Sequence, residues 1–351
     1  MKFALIIDAV WNIESYYVKD NVAYNWWTDK PYSYNHSVDE TCYLNTWNYP
    51  WLFEDGCFLN WYEFKDKGLP NAEYDVIFLV LERSLCRESD FPYAKVENIR
   101  NQYPNAKVVG FIKEMWMGDP YNYDHPKQVA RKEFLSYCDA VVTNRPWISE
   151  YLEKLNDSKP FHYIAQPHNI GYFYPVFSGD KDRALWAYLP NPSDRRSDTY
   201  DFAKYLCDKY DVEFRYKPLT EGQAFDYMPL KEFVQKWSSC LFHLNMDPIT
   251  YFPGNQITQV ISTGTIHLGG LNDNHRLLTS DAATNDRDKL EDIFKRCLED
   301  KVFRDKQIVK AWTVLNKHFS FNVVRDQIMN LNYGNEKAWY NFQGEYDERI
   351  Q

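Results

Sequence analysis

Three groups of residues have the types and spacing to do chemistry. The first is the stretch from Asp247 to Gly270, DPITYFPGNQITQVISTGTIHLGG, which follows the apolar run Cys240–Asn245. It reads as buried strand, polar loop, short helix, glycine stop and second buried strand. A loop of this kind leaves free backbone N–H groups at a helix start, where an anion is welcome. Gly254, Asn255 and Gln256 would present them. The second is the loop Leu189–Asp198, LPNPSDRRSD, whose Arg195 and Arg196 can each grip a phosphate with a planar fork of donors. The bland alternative is a solvated arginine pair beside a helix capped by Ser197 or Asp198.

The third group is acidic. Activating a hydroxyl needs a carboxylate or imidazole within hydrogen-bond reach. Glu114 follows the apolar run Ala106–Ile112 and is the first choice as base; Asp8 ends the first run and Glu82 the next. Asp119, Asp124 and His125 lie in the loop beyond Glu114. Each could equally be a helix cap or a solvated loop acid, with Lys113 and Arg83 as weak ion-pair partners. His243 and His267 sit inside apolar strands, where a histidine is more often a hydrogen-bonded core residue than a ligand. Gly269-Gly270 allows close backbone approach; without a following Gly-Lys-Ser/Thr it is no P-loop.

Elements that alternate along the chain must position these groups. Strands are expected at 2–7, 75–81, 106–112, 140–143 and 161–165, with helices at 93–102, 128–137 and 148–155. After a Pro-, Gly- and aromatic-rich linker at 166–178 the pattern restarts. Strands follow at 183–188, 212–216, 240–244 and 265–268, and helices at 199–209, 230–237, 255–262, 286–299, 302–318 and 321–330. Continuous Val/Ile/Phe runs alternating with helices mean parallel sheets covered on both faces. The expected class is therefore α/β, with two Rossmann-like doubly wound parallel-sheet domains. These are 1–170, carrying an aromatic-rich insertion at 9–70, and 179–320, followed by a helix and polar tail at 321–351. Ligands of such sheets sit at the carboxyl ends of the strands.

Length and composition agree. A chain of 351 residues exceeds what one core usually supports. Aromatic residues reach 18%, so many must be partly exposed, to pack, snorkel or line a sugar or base site. A net charge of −10 rules out global steering toward nucleic acid but leaves room for a locally basic cleft. The seven cysteines show no CxxC pair and no metal spacing, as expected of reduced thiols in a cytoplasmic protein. Residues 1–9 make a poor signal peptide and a good first strand, and no run is long enough to span a bilayer.

In this arrangement the chain resembles the glycosyltransferases of the GT-B fold, in which two such domains face a cleft and the second binds a nucleotide-sugar. The linker from Tyr163 to Pro175, YIAQPHNIGYFYP, resembles the hinge between their halves. The loop with Arg195 and Arg196 matches the one that brings a cation to the donor diphosphate; Lys217 is a further candidate. Many members carry a Glu, seven residues, then a second Glu five positions before a Gly. Aligned on Gly264, those positions hold Tyr251 and Gln259, so both acids are missing. Gln259 can still bond a ribose hydroxyl and Tyr251 can stack, but a retaining mechanism and the donor's identity are put in doubt.

The resemblance implies transfer of a hexose or pentose from a nucleotide-sugar, with a UDP-sugar as first-choice donor, to a hydroxyl acceptor. It implies no tightly bound cofactor, no metal, and a base from Glu114, Asp8 or Asp119. The acceptor is a glycan, whose rings would stack on the aromatics of 9–70, or a hydroxymethylated base, as in the related bacteriophage enzymes of DNA modification. Oligomeric state is left open. A non-catalytic nucleotide- or sugar-binding protein of the same fold is the alternative.

Overall fold

A computed structural model of the chain describes residues 1–7, 14–20, 22–31, 46–64, 68–81, 94–112, 134–144, 161–171, 180–188, 197–217, 235–247, 255–331 and 333. Two compact units result. Described residues up to Pro167, with those from Phe321 on, form the first; those from His168 to Ser320 form the second.

The first unit is built on eight strands: β1 (Phe3–Ile7), β2 (Tyr16–Lys19), β3 (Val22–Asn25), β4 (Cys57–Asn60), β5 (Val76–Leu81), β6 (Lys107–Ile112), β7 (Ala140–Thr143) and β8 (Phe161–Tyr163). Their order across the sheet is β3-β2-β4-β1-β5-β6-β7-β8. Strand β1 is buried along its whole length because it lies between β4 and β5, parallel to both. That environment demands its unbroken apolar sequence FALII. Helix α1 (Ala94–Gln102) crosses over from β5 to β6, and Ile99 joins the core.

Described residues of the region 9–70 join the sheet: β4 extends the parallel sheet beyond β1, and the antiparallel pair β2–β3 closes that edge. Thr46–Leu52 forms a 3-10 segment. Many aromatics of this region are core. Tyr16 is fully buried and stacks on Phe58, with ring centroids 5.1 Å apart and planes 10° from parallel. Four-residue strands without polar alternation carry too weak a periodicity to be read locally.

The second unit has four parallel strands, β9 (Asp182–Tyr188), β10 (Glu213–Lys217), β11 (Cys240–Leu244) and β12 (Ile266–Leu268), in the order β10-β9-β11-β12. Its helices are α2 (Ser197–Tyr210), α3 (Asn255–Ser262), α4 (Asp273–Thr279), α5 (Arg287–Glu299) and α6 (Lys301–Phe319). Helix α4 was not expected from the sequence. Phe202, Leu206, Phe242, Leu244, Leu290 and Phe294 are among its core, and Phe242 meets Phe294 with ring centroids 4.4 Å apart. Side-chain caps start the helices. Asp286 accepts from Asp288 N and Lys289 N ahead of α5, and Asp300 accepts from Phe303 N ahead of α6.

Helix α7 (Phe321–Met329) belongs to the first unit, burying Val324 and Ile328 and accepting a hydrogen bond from Ala165 N on Gln327 Oε1 at 3.3 Å. Within the second unit, His168 N donates to Phe319 O at 2.8 Å. The expected helices at 128–137 and 230–237 are described only in their last turns, and that at 148–155 and the tail beyond 333 lie outside the described residues.

Candidate functional site

The carboxyl edge of the second sheet is where chemistry is expected. All four strands are parallel, so Tyr188, Lys217, Leu244 and Leu268 end on that one edge. The chain leaves β9 there and re-enters at α2; it leaves β11 there and re-enters at α3. The described elements that flank the sequence candidates therefore meet at this edge.

A polar brace holds the edge together. Met246 N, two residues beyond β11, donates to Thr199 Oγ1 in the first turn of α2 at 2.9 Å. Met246 O accepts from Asn285 Nδ2 at 3.1 Å, and Asn285 Oδ1 accepts from Gly270 N at 3.1 Å. Both backbone groups of Met246 are thereby satisfied, as buried backbone must be. One asparagine ties the β11 exit to the β12 exit. Neither Thr199 nor Asn285 was picked out in the sequence, where each reads as an ordinary helix-start residue.

Helix α3 carries the glutamines. Ile257, Val260 and Ile261 are buried, while Gln256 and Gln259, three residues apart, share a half-buried face. The Gln256 Nε2 donor is buried and has no hydrogen-bond partner among the described residues. A buried amide donor left unsatisfied is costly, and a ligand oxygen would relieve it. The first turn of α3 has no acidic residue to neutralise its N-terminal partial charge. Its last turn is pinned: Ser262 Oγ donates to Gln259 O at 2.7 Å and lies 3.0 Å from His168 Nε2. Burial holds the His168 imidazole neutral, with its pKa pulled down to about 3.

The edge rests on three stacked histidines. His243 and His267 are register partners on β11 and β12, and their rings stack at 4.9 Å. His275 of α4 continues the column, 4.5 Å from His267 and 11° from parallel. Burial lowers the His267 pKa to about 3, against a smaller raising effect from the Gly269 backbone. Gly269 and Gly270 have φ of 86° and 83°, and a Cβ on Gly270 would fall 2.0 Å from His275 Nδ1. Gly270 thus serves close approach to an imidazole, and Gly269 close approach to the Asn245 backbone, whose carbonyl oxygen a Cβ there would meet at 2.8 Å.

Asp8, Glu114 and Asp119 of the first unit, and Arg195, Arg196, Tyr251 and Gly254 of the second, lie outside the described residues; Lys217 and Asn255 are placed in backbone only. Among the described residues, no group of three or more His, Cys, Asp or Glu is gathered as a metal site would require. No helix there is long and apolar enough to cross a membrane, and the five described cysteines are free buried thiols.

No family model and no curated protein matches this sequence. Solved structures do match. Trehalose-6-phosphate synthase, OtsA, superposes with a TM-score of 0.58 at 11% identity, over 94% of this chain and 98% of that one. The fold is GT-B. A second GT-B structure, the E. coli protein bound with UDP-2-fluoro glucose, gives a TM-score of 0.53 at 11% identity over 74% of this chain and 73% of its own. At such identity the likeness defines architecture. It places both units of this chain in the mixed α/β, largely parallel GT-B class that the strand–helix alternation implied.

Proposed function

We propose that this chain transfers a sugar from a nucleotide-sugar donor to a hydroxyl acceptor. The observation that carries this proposal is the carboxyl edge of the second sheet. There the start of α3 offers unneutralised N–H groups and the unsatisfied Gln256 amide beside a braced backbone. Such an edge suits the phosphates of a nucleoside diphosphate. The E. coli structure of the same fold was solved with UDP-2-fluoro glucose, which supports a UDP-sugar as the donor here.

In this proposal Arg195, Arg196, Lys217 and the N–H groups of Gly254, Asn255 and Gln256 stabilise the departing diphosphate, while Tyr251 and Gln259 contact the nucleoside. Glu114, or failing it Asp8 or Asp119, takes the acceptor proton. Catalysis then rests on positioning and charge stabilisation, with no metal and no tightly bound cofactor. The acceptor is a glycan hydroxyl or a hydroxymethylated base of phage DNA, met in the cytoplasm.

A non-catalytic binding protein is the second reading, and the replacement of both family acids by Tyr251 and Gln259 favours it. Incubation with radiolabelled UDP-sugars, with and without oligosaccharide or hydroxymethylated DNA, separates the two. Release of UDP supports transfer. UDP binding without release from any donor and acceptor pair supports the binder, and failure to bind UDP or GDP at all overturns both.

A further inference from the structure

We propose that the first unit carries a second, non-catalytic saccharide-binding pocket at the amino-terminal edge of its sheet. An open pocket of about 530 Å³ is lined there by Lys2, Tyr17, Trp26, Asp55, Cys57, Ala72, Glu73 and Tyr74. Its volume falls in the range of about 300–1,000 Å³ typical of small-molecule sites. Lys2 precedes β1, Cys57 opens β4 and Tyr74 lies just ahead of β5. The pocket is therefore a strand length, about 15 Å, from the carboxyl edge where transfer chemistry belongs.

Its wall is a rigid aromatic corner. Tyr17 and Trp26 pack against the core cluster yet stay only half-buried. Their rings stand 5.9 Å apart at 89°. Tyr17 is further fixed by stacking on Tyr24 at 5.4 Å and by a hydrogen bond from its hydroxyl to Asp29; the Trp26 ring makes an edge contact with Phe64, and its backbone is anchored by the amide N–H donating to Ser15 O. Aromatic faces held in advance lose little entropy on binding, and they suit the C–H faces of a pyranose.

The rim supplies the complement. The carboxylates of Asp55 and Glu73 and the ammonium of Lys2 are exposed, and among the described residues none has a hydrogen-bond or ion-pair partner. Vicinal hydroxyls donate well to a carboxylate, and an ammonium donates to ring or hydroxyl oxygens. Two carboxylates against one ammonium disfavour a phosphodiester chain, and the ammonium disfavours a cation. A neutral sugar uses both kinds of group. Cys57 takes no part as a nucleophile: burial, the larger cause, lifts its pKa to about 12.

The proposal stands apart from the donor site, so it is tested with UDP present at saturation. Maltohexaose, cellohexaose and chitohexaose are titrated calorimetrically into the full chain, into Trp26→Ala, and into the Asp55→Asn, Glu73→Gln double variant. The expected result is binding of at least one hexasaccharide at about millimolar strength, weakened at least tenfold in either variant, with UDP affinity unchanged. The double variant alters exposed groups only, and decides the matter should Trp26→Ala fail to fold. Binding of no hexasaccharide, or equal binding by the wild type and every folded variant, overturns the pocket.

Discussion

His243 Nδ1 and His267 Nδ1 lie 2.9 Å apart across adjacent parallel strands, both rings buried. At that separation one nitrogen donates and the other accepts, so the pair shares a proton and cannot charge both rings without repulsion. The folded unit holds His267 neutral, and His168 likewise, each with a pKa near 3. An unfolded histidine titrates near 6.5.

The sign of the pH dependence follows. A lowered folded pKa means the unfolded state binds more protons, so stability rises with pH below about 6.5 and is fully present above it. As pH falls from about 6.5 toward 3, unfolding should take up protons at both His168 and His267. Denaturant midpoints measured across that window should fall more steeply for the wild type than for His168→Gln. Parallel curves would show that His168 is not held neutral by its burial.

Gly270→Ala should destabilise the second unit by about 3 kcal/mol or more, since it adds left-handed strain to a clash with the His275 ring. Gly68 shares a positive φ of 75° but has nothing within 4 Å, so Gly68→Ala should cost only about 1–2 kcal/mol. Thermal melts of both variants check the contrast. Adding His275→Ala to Gly270→Ala should recover part of the loss, a coupling that strain alone would not produce.

Replacing Arg195 and Arg196 together by alanine should weaken UDP binding at least tenfold, the equivalent of losing one charged hydrogen-bonded contact of about 1.5–3 kcal/mol. Calorimetry with UDP reads the effect directly. An unchanged affinity would return both arginines to the solvated pair that their loop equally allows.

Glu114→Gln should lower turnover by about a hundredfold or more while leaving donor affinity nearly intact, the signature of a lost general base. Steady-state rates and UDP titration of the same preparation give both quantities. Wild-type turnover would pass the role to Asp8 or Asp119.

Local patterning carried much of the architecture. Strand β7 and helix α3 occupy the spans read from their apolar runs, and β1, β5, β6, β9 and β11 agree to within a residue or two at each end. A buried strand must be apolar on both faces and a helix must repeat near 3.6 residues, so each element writes its own signature. Strands β2 to β4 left no such mark among the aromatics of 9–70. Strand β4 pairs with β1, some fifty residues earlier, and β2 pairs in turn with β4 and β3, so their places depend on contacts that no local pattern records.

Residue types and order by themselves determined the α/β class, the alternation of elements and which segments leave a strand toward a helix, because burial and periodicity are properties of a short stretch of chain. Only the tertiary structure decided that Thr199 meets Met246 across 47 residues, that Asn285 closes on Met246 across 39, and that His243 faces His267 across 24. Those contacts are set by strand order and register, which arise when distant segments bury their faces against one another, and no local pattern records them.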